Sequence, residues 1–142
     1  MSAKHESEKS KKRILDDHVE IATLLEASVN ATQASEIVAN MTRLRALLGR
    51  HFAEEESELG GLHESNQVRA PRHANSIASL KIEHRDMLEK VREILEGAEK
   101  PGSDVAKLCA LSKELQSLFV SHEARETEIF VDSVWTDIGT KD

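Results

Sequence analysis

Two five-residue stretches carry side chains of the kind that hold metal ions: "HFAEE" at 51–55 and "HEARE" at 122–126. Each sets a histidine four residues before a glutamate, His51 with Glu55 and His122 with Glu126. Four residues is about one helical turn, so both members of a pair leave the same helix face and can reach one centre. Two more histidines, His18 in "DDH" and His84 in "KIEHRDM", fall on apolar stripes of their own. Imidazole and carboxylate ligands without thiolate suit iron, manganese or zinc, and spacing alone does not choose among them. The lone Cys109 excludes a cysteine-based zinc or iron–sulfur site, and a disulfide, within one chain.

These residues need helices to position them. Between Pro71 and Pro101, and between glycines at 60, 61, 97 and 102, the chain is rich in Ala, Leu, Glu, Lys and Arg, all good helix formers. A first helix is expected from residue 8–10 to about 29, with Ile14, His18, Ile21 and Leu25 on one face. "NATQ" at 30–33 ends it, and Asn30 or Thr32 can cap the next. The second helix aligns Ile37, Met41, Leu44, Leu48, His51 and Glu55, and the segment 57–72 is expected to break it. A third, from about 72 to 96, aligns Ile77, Leu80, His84, Val91 and Leu95, and Ser103 or Asp104 can cap the fourth. That last helix aligns Leu108, Leu111, Leu115, Leu118, His122, Glu126 and Ile129. The expected fold is all-α, an up-down-up-down antiparallel four-helix bundle over 10–136, with polar tails at 1–9 and 137–142.

Height decides whether the six polar residues meet. At about 1.5 Å per residue, His18 and His84 lie about 12–18 Å above their helix starts. His51, Glu55, His122 and Glu126 lie about 8–20 Å from the ends of theirs, so all six reach one layer within the boundary error. A buried unpaired carboxylate costs several kcal/mol, and two facing carboxylates repel. Two di- or trivalent cations resolve this: the glutamates bridge them and each takes two imidazoles.

The chain has 142 residues, one domain's length, and a net charge of −7, which argues against nucleic acid as its main partner. The basic cluster Lys9, Lys11, Lys12 and Arg13 reads as a solvated lead into the first helix. No apolar run approaches the length of a membrane span, and the polar N-terminus is not a secretory signal, so cytoplasmic residence is expected.

His18 within "DDH", "HFAEE", His84 within "KIEHRDM", and the stretch "HEARETEIF" together resemble the hemerythrin-like (HHE cation-binding) family, in order, from about residue 13 to 131. The resemblance implies a non-haem di-iron centre, with manganese or zinc the lesser alternatives. His18, His51, His84 and His122 would be terminal ligands and Glu55 and Glu126 bridging carboxylates, with an oxo or hydroxo group completing the bridge. Oxygen carriers of that family add a histidine from a His-x-x-x-His pair on the third helix, where Leu80 and Leu88 flank His84 here. They also bridge through an aspartate five residues after the last histidine, where this chain has Thr127. The four-histidine, two-glutamate set is similar to members implicated in sensing and stress responses rather than in reversible oxygen transport. It implies a protein that binds, senses or reacts with O2, peroxide or nitric oxide; whether it is an enzyme is left open. Iron handling, as a ferroxidase or in sequestration, is the alternative, and a structural zinc bundle a third.

Among other residues, His73 could be a fifth or supporting ligand but reads as an exposed helix start after Pro71, and His63 and His5 read as solvent-facing. Asp17, Glu54, Glu83 and Glu123 could orient ligands through hydrogen bonds. Their positions one residue off the inward stripe favour solvated flanks. Cys109 is expected to point away from the site. Trp135 and Ile138 either close the bundle end or pack on a second copy in a homo-oligomer.

Overall fold

The computed structural model describes the backbone of residues 3–66 and 71–139 and the side chains of 15–58 and 75–129. Four helices account for it: α1 (Ala3–Val29), α2 (Ala34–Asn66), α3 (Pro71–Glu99) and α4 (Val105–Gly139). Each packs on its two sequence-cyclic neighbours, α1 closing onto α4, while α2 and α4 meet across the diagonal more sparsely. This is the expected all-α four-helix bundle.

The helices are longer than periodicity alone indicates. α1 starts at Ala3 rather than at 8–10, because "KHESEKSKK" is mostly Lys and Glu, straight-chain residues that lose little freedom in a helix. α2 runs through Gly60 and Gly61 to Asn66 and α3 takes up Pro71 and Arg72, so the expected break is helical wherever it is described; residues 67–70 lie outside the described residues. A helical glycine costs about 1 kcal/mol relative to alanine, which a 33-residue helix absorbs.

The two described turns fix the register of each hairpin. Asn30 closes α1, its Nδ2 donating to the Glu26 carbonyl at 3.0 Å, and the Thr32 hydroxyl donates to the Glu36 carboxylate at 3.0 Å. Both therefore act at this turn, though not by accepting the backbone N–H bonds expected of a cap. Asp104 does cap α4, its Oδ1 accepting the Lys107 N–H at 3.2 Å. Two residues before Asp104, Gly102 adopts φ +70°, the left-handed region that a Cβ disfavours, and so reverses the chain after Pro101.

Inside the bundle, one large apolar cluster fills the end near these turns, with Ile21, Leu25, Ile37, Met41, Leu44, Val91, Ile94 and Leu115 at its heart. Phe52 and Phe119 form its floor, and Ile77, Leu80 and Ile129 form a second cluster on the far side. A layer of buried polar side chains lies between the two.

Candidate metal centre

Each helix delivers one histidine to that layer, and α2 and α4 add a glutamate one turn further on. His51, Glu55, His84, His122 and Glu126 are buried; His18 is the partial exception, its side chain 16% exposed. All six residues singled out from the sequence meet here. Ligand-type atoms of Glu55, His84, His122 and Glu126 lie within 4.8 Å of one another, as do those of His18, His51 and Glu55.

The two carboxylates divide their oxygens between these halves. Glu55 Oε2 lies 3.1 Å from His51 Nε2 and 3.7 Å from His18 Nε2. Its Oε1 lies 3.2 Å from His84 Nε2 and 3.5 Å from His122 Nε2. Glu126 does likewise, with Oε1 3.6 Å from His18 Nε2 and Oε2 3.5 Å from His122 Nε2. All four imidazoles thus aim Nε2 inward, and each carboxylate spans both halves.

Proximity does not amount to hydrogen bonding. His18 Nε2, His51 Nε2, both Glu55 oxygens and Glu126 Oε2 are buried with no hydrogen-bond partner. His84 Nε2 and His122 Nε2 face each other at 3.1 Å. Natively buried polar atoms are almost always satisfied, so five orphans converging on one point describe a site with the donor chemistry and shape for cations. Imidazole nitrogen and carboxylate oxygen fit first-row transition metals such as iron, manganese or zinc.

The electrostatics of the protein alone are strained. Burial opposes ionisation of Glu55, yet the imidazoles of His122, His18, His51 and His84 hold its carboxyl well below the usual range. Glu126 is pushed up to about 7 by burial and by the facing Glu55. Burial resists charge on His122, but Glu126, Glu55 and Glu83 overcome it and raise the imidazole to about 10. His51 is raised in the same way, burial opposing and Glu55 and Asp17 prevailing.

The outer nitrogens are partnered as consistently as the inner ones converge. Asp17 accepts from or faces His51 Nδ1 at 3.2 Å, Glu56 does so for His84 Nδ1 at 3.2 Å, and Glu83 for His122 Nδ1 at 2.8 Å. Glu123 lies 3.1 Å from His18 Nδ1. In every case the carboxylate comes from the preceding helix of the ring, α1 to α2, α2 to α3, α3 to α4 and α4 to α1. Asp17, Glu83 and Glu123 therefore turn inward instead of lying on solvated flanks as expected; Asp17 is 5% exposed. The reason is that a residue beside an inward histidine lies at the helix–helix seam, within reach of the next helix's imidazole. Glu54 is half-buried with Arg50 Nη1 3.9 Å away. Glu56, whose signal was its place next to Glu55, escaped the sequence reading.

Two phenylalanines complete the walls. Phe52 stacks on His84 with ring centroids 4.0 Å apart and planes 8° apart, and Phe119 meets His18 edge-on at 5.7 Å. Leu80 and Leu88 pack into the apolar clusters, and the Thr127 hydroxyl donates to the Glu123 carbonyl of its own helix. None of the three offers a ligand. Cys109 Sγ lies 3.3 Å from the Ala31 carbonyl at the turn end of the bundle, away from the histidines as expected. The side chains of His5, His63, His73, Trp135 and Ile138 and of the basic cluster 9–13 lie outside the described residues.

A family model, the hemerythrin HHE cation-binding domain, matches residues 11–133. Neither curated proteins nor solved structures give a match to the chain.

Proposed function

This chain belongs to the hemerythrin HHE cation-binding family, and from that premise we propose that it is a non-haem di-iron protein that binds, senses or reacts with O2, peroxide or nitric oxide. The observation that carries this reading is the set of orphaned buried donors converging from all four helices, split into two groups that share Glu55. In that reading His84 and His122 would hold one iron and His18 and His51 the other, with Glu55 and Glu126 the carboxylates placed to serve both. Such a pair supplies Lewis acidity and one-electron redox chemistry next to open coordination positions. The chain's own part would be to fix the donors and keep bulk water out with Phe52, Phe119 and the apolar clusters on either side. Leu80, Leu88 and Thr127 add no further ligand, which favours sensing or reaction over reversible carriage.

Metal analysis and the absorption spectrum of freshly purified protein test this directly. Two irons per chain with charge-transfer absorption are expected. Less than one metal per chain, or zinc alone, overturns it. Glu126→Ala is expected to lose iron, and full retention in that variant contradicts the ligand assignment. Addition of O2, peroxide and nitric oxide to the reduced protein then distinguishes binding from consumption.

A further inference from the structure

The four carboxylates behind the histidines are not equivalent. Asp17 uses both oxygens: Oδ2 faces His51 Nδ1 at 3.2 Å while Oδ1 accepts from Arg50 Nη2 at 2.9 Å. Glu83 does the same, Oε1 facing His122 Nδ1 at 2.8 Å and Oε2 meeting Arg125 Nε at 2.6 Å. Each arginine stands on the same helix as the histidine it serves, so histidine, carboxylate and guanidinium form a closed clamp across one helix seam. Among the described residues, no arginine or lysine reaches Glu56 or Glu123, whose side chains are 39% and 32% exposed.

The clamps are also distributed evenly. His51 belongs with His18 in one half of the site, and His122 with His84 in the other. Each half thus pairs one clamped imidazole with one whose outer nitrogen rests on a partly exposed carboxylate that no arginine or lysine among the described residues holds. The arrangement repeats between helix hairpins: an acid precedes His18 and His84 in α1 and α3, and Arg50 and Arg125 follow in α2 and α4.

We propose that Asp17 and Glu83, each clamped by an arginine, are the positioning residues of the centre, fixing the outer nitrogen of one imidazole in each half, while those of His18 and His84 rest on unclamped carboxylates. The proposal rests on the reading of the cluster as a metal centre. A carboxylate held from behind keeps Nδ1–H as the donor and Nε2 free to ligate, so it raises the residence of a metal without touching it. A carboxylate free to rotate into water does this less well.

The test follows iron release from the loaded protein into excess chelator, alongside thermal unfolding of the metal-free protein. Asp17→Ala and Glu83→Ala are expected to release one half of the iron about 10–100-fold faster, whereas Glu56→Ala and Glu123→Ala change it by no more than about threefold. Asp17→Asn and Glu83→Gln, which still accept the Nδ1–H, should fall between. Arg50→Gln and Arg125→Gln alter only half-exposed side chains, and their faster release keeps the test open if the alanine variants fold poorly. Equal acceleration in all four alanine variants overturns the proposal. So does a lower metal-free melting temperature at Asp17 and Glu83 variants with release unchanged, which marks a purely structural role. A wild-type chain that takes up no metal removes the underlying reading, and the proposal with it.

Discussion

Glu126 and His122 are one helical turn apart and both are shifted towards the protonated form, Glu126 by burial and the facing Glu55 against the pull of His122, and His122 by Glu126, Glu55 and Glu83 against its burial. His122 lies at about 10 in the folded chain against an ordinary 6.5, so its stabilisation is complete below 6.5 and is lost as pH rises towards 10. Glu126 lies at about 7 against 4.5, so ionising it removes stability between those values. Glu55, held low, acts in the opposite sense and withdraws stability as pH falls below its ordinary 4.5. The metal-free protein is therefore expected to melt at steadily lower temperature from about pH 5 to pH 10. Glu126→Gln should flatten the portion between 4.5 and 7, as thermal scans across a pH series would report. At this scale the sequence was informative where side chains lie on the stripe itself. His18, His51, Glu55, His84, His122 and Glu126 could be named because each replaces an apolar residue at helical spacing. Asp17, Glu83 and Glu123 were misjudged, and Glu56 missed, because a seam position looks solvated until the neighbouring helix is placed against it.

The helices hold this layer in register through their turns, and their glycines show where length and stiffness matter. Gly49 stands on the outer face of α2 beside the site, and a Cβ added there meets nothing within 4 Å. Gly49→Ala is expected to stabilise the protein by about 0.5–1 kcal/mol without changing metal content, readable by chemical denaturation. Gly102→Ala should do the reverse by about 1 kcal/mol, since its φ of +70° strains any side chain. The turns at 30–33 and around Gly102 were legible from their Asn, Thr, Pro and Gly content. The continuation of α2 through Gly60 and Gly61 was not, because a helix of 33 residues absorbs a local weakness that propensity alone reads as a stop.

For the bundle as a whole, the layer of unsatisfied donors is a local cost borne by the apolar clusters above and below it. Ions that bind the folded chain and not the unfolded one shift the balance by mass action, by about 4 kcal/mol at a thousand times the dissociation constant. Stripping metal with chelator is accordingly expected to lower the melting temperature, and restoring iron to recover it; an unchanged melting temperature would mean that the cluster holds no ion. Overall architecture was the most legible level, since four long stripes and short turns leave few alternatives to a bundle. Chain order around the bundle then brings the partners for every imidazole from an adjacent helix, which no single stripe discloses.

The aromatic walls have a consequence for electrons. The chain contains no tyrosine, and the described rings touching the imidazoles are Phe52 and Phe119. Phenylalanine gives up an electron far less readily than tyrosine or tryptophan. If the cluster holds the proposed redox-active metals, an oxidising equivalent formed there would meet, among the described residues, only aromatic rings that do not relay it outward.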